Sequence, residues 1–248
     1  MSFPVFENKH LEKALFSPED LPQKKKLPKN LPKKCILVYS RHLMSYIKRR
    51  YKPKKIKEFL VGMDYYWYKD IAFVKMKGIG APHAVTAFEE LISLGTKTFL
   101  NIGIAGGMDD FGIYVCDKAV RDEGTSYHYS PHAKYSYPDE KLTKELEKVL
   151  VKNDVPYVKG PTWTIDAPYR ETVTEVKHYI SEGVKTVEME ASALFAVAKV
   201  RKVRIAAAFS VSDLVLPEKW DPHFDKKHIK VRLNKLLDSA VELLVGLK

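Results

Sequence analysis

The sequence predicts an α/β layer fold built around one central sheet. Short apolar runs of strand character alternate with helix-period segments along most of the chain. Several of those runs end in glycine turns or in Ser-Asp, the kind of strand end where open α/β sheets collect their ligands. No internal repeat and no linker interrupts the pattern. The 248 residues therefore read as an extended N-terminal arm over 1–33 and a single domain over 34–248.

The arm is rich in Pro and Lys, with one helical turn expected near 8–15. "KKCILVYS" opens the first buried strand, and "RHLMSYIKRRY" follows as a helix. "EFLVGMDYYWYKDIAFVKMKGIG" reads as two antiparallel strands turning near 68–70. "APHAVTAFEELISLG" is helical, with Ala84, Phe88, Leu91 and Ile92 on one face and Gly95 as its stop. "TKTFLNIGIAGGM" is a buried strand running into a glycine turn, and "GIYVCDKAVRDEG" is a strand followed by the loop "TSYHYSPHAKYSYP". "KLTKELEKVLVKN" is an amphipathic helix, and "VKGPTWTID" is a strand leaving into a loop. A helix over "KTVEMEASALFAVAKV", the apolar strand "VRIAAAFSVSD" and the long helix "KHIKVRLNKLLDSAVELLVG" complete the chain.

Composition narrows the function classes. Hydrophobic residues make up 45% and charged residues 29%, proportions of a folded globular protein rather than a disordered one. No apolar run has the length of a membrane span, and the N-terminus has no basic start followed by an apolar core. Cys35 and Cys116 lie far apart without metal-ligand spacing, which fits a reduced cytoplasm and calls for no metal. The net charge of +11 is concentrated in 22–34 and 47–57, yet no nucleic-acid motif accompanies it. A lysine-rich solvated surface that favours anionic small molecules is the simpler account.

Four stretches hold the candidate chemistry: 77–84 (KGIGAPHA), 101–108 (NIGIAGGM), 164–171 (TIDAPYRE) and 210–213 (SVSD). Each glycine turn alone is an ordinary strand-to-helix connection, and neither has dinucleotide or P-loop spacing. Asp213 is more informative. A carboxylate at the lip of a buried strand costs desolvation unless something there needs it, and such a place can suit it to acid catalysis. Helix N-capping is the competing structural account of Asp213. Glu188 and Glu190 bracket Met189 at the mouth of an apolar helix, where acidic residues also suit the helix's positive end.

The order GIGAP…EEL…LG…NIGIAGG…VEMEASALF…SD, over 35–213, resembles the nucleoside phosphorylase superfamily of purine nucleoside phosphorylase, uridine phosphorylase and methylthioadenosine nucleosidase. VEMEA is the most specific element and GIGAP supports it. VRDEGTSYHYSP is similar to a loop of the uridine phosphorylases, while the terminal SD is similar to the purine-cleaving branches. The resemblance implies a three-layer α/β fold with a mixed, partly barrel-like central sheet flanked by helices. It implies cleavage of a ribose–base bond, with a nucleoside substrate and no cofactor besides phosphate as co-substrate. Glu190 would accept the ribose hydroxyls, Met189 would pack on the sugar and Glu188 would sit beside them. Asp213 would protonate the departing base. The segments 165–170 and 212–215 would form the base pocket, with Tyr169 as a stacking wall and Arg170 and Ser212 as polar contacts. A homo-oligomer, a dimer or a trimer of dimers, is also implied, and the aromatic DYYWYKD over 64–70 is the expected subunit contact.

The chain departs from that pattern where phosphate should bind. The first turn reads Ser40-Arg41-His42-Leu43-Met44, with Met44 in place of the expected arginine. Asn101 stands for a second arginine, and Ile104 for a hydroxyl residue. Ser40, Arg41, Lys57, Asn101 and Gly103 are thus the candidate nucleophile pocket, with Arg41 or Lys57 as replacement phosphate ligands. Phosphorolysis is the first expectation. A nucleosidase using water and a catalytically silent nucleoside-binding member are the alternatives.

Overall fold

The computed structural model describes residues 6–21, 27–28, 30–56, 62–224 and 226–247. Its elements run β1 (Lys34–Val38), α1 (Arg41–Tyr51), β2 (Lys54–Ile56), β3 (Met63–Tyr68), β4 (Ile71–Met76), α2 (Ala81–Ser93), β5 (Thr98–Gly107) and β6 (Ile113–Asp122). They continue with β7 (Tyr135–Ser136), α3 (Glu140–Lys152), β8 (Val158–Ile165), α4 (Val173–Ser181), β9 (Thr186–Glu188), α5 (Ala191–Arg201), β10 (Arg204–Leu216), β11 (Lys219–Pro222) and α6 (Lys227–Gly246). In the arm, short 3-10 turns form at Lys9–Leu11 and Pro18–Asp20.

The strands form one mixed sheet in the order β11-β10-β6-β8-β9-β5-β1-β4-β3-β2. Pairing of β10 with β5 closes β5, β10, β6, β8 and β9 into a five-stranded barrel. β1 lies parallel to both β4 and β5, whereas β9 meets β5 antiparallel. Helices cover both faces, which gives the three-layer architecture with a partly barrel-like centre.

The apolar strands follow from that burial on two sides. In β1, Cys35 and Leu37 join the core under α2 and α5, while Ile36 and Val38 join the core under α1, α3 and α6. Every residue of α5 from Ala191 to Ala198 is buried, so this helix needs no polar face. A third, smaller core gathers Trp163, Val176 and Val187 beside the barrel.

Besides the short strands β2 and β7, which the sequence reading lacks, three features differ from expectation. The glycines of 101–108 do not turn the chain: Gly103, Gly106 and Gly107 lie inside β5. A Cβ at Gly106 would come within 2.9 Å of both Val187 Cγ1 and Val215 Cγ2, and one at Gly107 within 2.7 Å of Val211 Cγ1. Glycine is needed there because neighbouring strands press their side chains against the β5 backbone as the barrel closes. SVSD does not end its strand either. β10 continues to Leu216 and returns as β11, and Ser212 is the extra residue of a bulge between Val211 and Asp213. Finally, α4 occupies a stretch with no element assigned after the TIDAPYRE loop, and the expected helix over 185–200 begins only at Ala191, because Thr186–Glu188 pair with β5 and β8 as β9.

The aromatic hairpin satisfies itself largely within the chain. Tyr65 and Tyr66 are buried in the two cores, and the Lys48 and Lys55 ammoniums lie 5.2 and 5.7 Å from the Tyr66 ring centre. Trp67 and Tyr68 remain half-buried.

Candidate active site

The E-M-E segment spans two elements, since Glu188 ends β9 and Glu190 is the N-cap of α5. The two carboxylates divide the work. Glu188 Oε2 accepts the backbone N–H groups of Glu190 and Ala191, both at 2.8 Å, and so caps the helix. Its Oε1 accepts the Thr164 hydroxyl at 2.5 Å, and Thr164 Oγ1 in turn accepts the Ser192 N–H at 3.0 Å. Glu190 makes no side-chain cap. Its Oε1 instead accepts the Gly80 N–H at 2.6 Å, which joins GIGAP to E-M-E across the molecule. Gly80 has φ 90°, a backbone that glycine adopts without strain and that lets the turn aim its N–H at the carboxylate. His83, one turn into α2, accepts the Gly78 N–H at 3.0 Å and steadies the same turn. Met189 Cε lies 3.8 Å from where a Gly80 Cβ would be.

Burial pushes the proton affinities of Glu188 and Glu190 upward, and for Glu188 the neighbouring Glu190 adds to it. The donors around each carboxylate oppose that push. Both groups are almost fully enclosed, with exposures of 6% and 8%. A hydrogen-bond chain ties this centre to the RDEGTSYHY loop. Ser192 Oγ donates to Glu123 Oε1 at 2.8 Å, Glu123 Oε2 accepts the Thr125 and Ser126 N–H groups, and Arg121 Nε donates to Ser126 Oγ.

Asp213 lies in the same row of the barrel: it pairs with Gly106, and Gly106 pairs with Val187. Two strand spacings therefore separate Asp213 from the residue preceding Glu188, about 10 Å between backbones. Ser212 Oγ donates to Asp213 Oδ1 at 2.7 Å, and Trp220 Nε1, on β11, donates to Oδ2 at 2.8 Å. Asp213 is no helix cap. Glu171, just beyond the 3-10 turn Pro168–Arg170, is pushed up to about 7 by burial first and then by Asp213 and Glu175. Tyr169 does not form a wall here: it is 99% exposed, and Arg170 is exposed beside it. The short 3-10 turn points both outward, a direction the sequence does not encode.

The nucleophile residues are scattered rather than assembled. Ser40 caps α1, accepting the Leu43 N–H at 3.3 Å. Arg41 turns into a groove beside Lys75 and Asp64, and Lys57 lies outside the described residues. Asn101 is buried within the sheet, and neither atom of its amide has a partner among the described residues. Ile104 is 41% exposed.

Sequence reasoning singled out neither Tyr39 nor Trp220 for the site, and it included Thr164 and Glu171 only as the ends of the TIDAPYRE stretch, without a role. Tyr39 leaves β1 beside Gly103, where a Cβ would lie 3.7 Å from its ring. Its hydroxyl is shut off from solvent without a partner, and burial, then Glu190 and Glu188, raise its proton affinity well above the ordinary phenol. It is therefore an uncharged hydroxyl within the electrostatic reach of the carboxylate pair. The tyrosine at the exit of an apolar strand was its one visible signal; Trp220 had none, because β11 was not expected.

The chain's residues 36–242 match the family model described as "Phosphorylase superfamily". The chain is 32% identical over 174 residues to the guanosine phosphorylase of Halorubrum lacusprofundi, covering 63% of this chain and 72% of that one. It is 31% identical to the uridine phosphorylase of Treponema pallidum, covering 56% of this chain and 59% of that one. Its fold superposes on purine nucleoside phosphorylase from Toxoplasma gondii with a TM-score of 0.76 at 18% identity, over 87% of this chain and 92% of that chain. Uridine phosphorylase from Vibrio fischeri gives 0.72 at 24% identity, over 87% and 92%. With the fold, the joined GIGAP and E-M-E segments and a family match across most of the sequence, this chain belongs to the phosphorylase superfamily.

Proposed function

We propose that the chain cleaves the N-ribosyl bond of a purine nucleoside, with phosphate as nucleophile. The carrying observation is Glu190: a buried carboxylate aimed by the Gly80 N–H while Glu188 takes over the capping of α5. A carboxylate so held accepts the ribose hydroxyls and orients the sugar. As the C1′–N bond lengthens, its electron pair moves to the base and positive charge grows on the ribose ring. The fixed anion stabilises that charge. A proton delivered from the Asp213 carboxyl to a ring nitrogen lets the base leave neutral. A phosphate oxygen then bonds to C1′, giving ribose 1-phosphate and free base. The curated relatives above 30% identity, named guanosine and uridine phosphorylase, support the phosphate reading.

A second reading, hydrolysis, draws support from Tyr39 and Asn101. Their unpartnered polar atoms lie on the face of β1 and β5 that carries Gly103, and they suit a neutral water better than a phosphate dianion, which is costly to enclose unpaired. Product analysis separates the two. Phosphorolysis requires base release to rise saturably with phosphate and to yield ribose 1-phosphate. Full activity in phosphate-free buffer, with free ribose as product, would end that reading.

Glu190→Gln is expected to fold with a Tm at or above wild type, since it removes a buried charge, and to lose about 100-fold or more in turnover, because the charge matters most as the transition state develops. Turnover within a few-fold of wild type would reduce Glu190 to a structural residue. Asp213→Asn should slow purine nucleosides much more than an activated nucleoside whose leaving group needs no proton. Equal losses on both would remove Asp213 as the acid.

Glu171 gives a pH test. Its ordinary value of 4.5 is raised to about 7 in the folded chain, so its ionisation works against folding. The penalty is absent below pH about 4.5, grows through about 7 and is complete above. Glu171→Gln should therefore raise Tm more at pH 8.5 than at pH 5, by roughly 2 °C after allowance for its partial exposure. The same shift at both pH values would show that Glu171 does not titrate in this window.

A further inference from the structure

Between α1 and the β3–β4 hairpin lies an open groove of about 430 Å³, on the side of the sheet opposite α2 and α5. Four cations line it: Arg41 and Lys48 from α1, Lys75 from β4 and Lys77 just after that strand. The one carboxylate in the lining, Asp64, is shared by Lys55 at 3.2 Å and Lys77 at 3.8 Å. Among the described residues, Arg41, Lys48 and Lys75 have no carboxylate within ion-pair distance. Lys75 is half-buried and donates to the Met76 carbonyl, and its proton affinity is lowered first by burial and then by Arg41, with Asp64 opposing in part. Holding cations together in a concave, partly dry place is unfavourable unless an anion joins them. The floor is apolar, formed by the buried Met44 and Tyr66.

We propose that this groove is a binding site for a small phosphate monoester, such as a sugar phosphate. Arg41 at the first position of α1 presents a guanidinium fork to the phosphoryl oxygens, at the positive end of the helix. Lys75 and Lys48 complete the neutralisation of the dianion. The volume exceeds what a bare phosphate fills and suits a small organic ligand, whose uncharged part lies along the groove beside Met44 and Ser45. Four cations gathered in one short groove fit one phosphoryl group better than the repeated charges of a nucleic acid, which would call for a longer basic stripe. The assignment is independent of the N-ribosyl reading, because it concerns binding alone.

Isothermal titration of the full chain with ribose 5-phosphate at about 50 mM salt tests it, with ribose and inorganic phosphate as comparisons. A saturable site that the groove variants weaken, separate from any phosphate held at the N-ribosyl site, is expected, about fivefold or more tighter for ribose 5-phosphate than for inorganic phosphate, with no detectable ribose binding there. The double variant Lys48→Glu/Lys75→Met should weaken it about 20-fold or more, and Lys48→Glu alone, at an exposed position, should weaken it in the same direction with the fold intact. Lys152→Met, which removes a remote cation paired with Glu242, should leave it unchanged. Binding should persist in Glu190→Gln, so loss of the sugar site and loss of this one are separately visible. Absence of saturable binding, equal affinity for inorganic phosphate, indifference to both groove variants, or tighter binding of a single-stranded oligonucleotide lost in the same variants would each overturn the proposal.

Discussion

The hydrogen bond from the Gly80 N–H to the Glu190 carboxylate is the constraint around which the centre is arranged. It joins residues 110 positions apart and fixes the start of α2 against the start of α5. Such a bond needs three things at once: a glycine backbone free to take φ 90°, a carboxylate not consumed by its own helix, and burial that keeps water from competing. Glu188 supplies the second by capping α5 in place of Glu190. The pair is thus one device, in which one carboxylate is spent on structure so that the other is left for a ligand.

Two nearly enclosed carboxylates side by side are unfavourable, and the surroundings show how the chain tolerates them. Thr164, two backbone N–H groups and the positive end of α5 surround Glu188. Tyr39 adds a neutral phenol that remains a donor across the physiological range, since burial and the same carboxylates hold its proton on. The bonded path from Glu188 through Thr164, Ser192 and Glu123 to Ser126 and Arg121 then ties the site to the tyrosine-rich loop. Side-chain networks of this kind hold their members in one arrangement only while each is satisfied.

Barrel closure fixes the other half of the site. Because Gly106 has no side chain, Val187 and Val215 can close over β5 from either side, and β10 can stay paired past its bulge. The bulge at Ser212 re-aims the strand at the point where Asp213 appears, and β11 brings Trp220 back to hold it. The acid candidate is therefore set by three strands rather than by the end of one.

Much of the fold was legible because its signals are local. The two-sided burial of β1, β5 and β10 writes continuous apolar runs, and α3 and α6 write a helical period. The Tyr68–Ile71 connection of the hairpin is likewise a local turn. Glu188, Glu190 and Asp213 stood out for a related reason, as charges embedded in apolar sequence. The rest was decided by contacts between distant segments. Gly106 and Gly107 look like a turn until Val187, Val211 and Val215 press on them. Glu171 gains its raised proton affinity only where the chain buries it near Asp213, and Arg41 meets Lys75 only because α1 packs over the hairpin. The sequence by itself determined the long strands and helices, though not α4, β9 or β11, and which carboxylates are out of place. The tertiary structure decided what each glycine and carboxylate touches, because closeness across a closed sheet depends on register and burial, which no local period records.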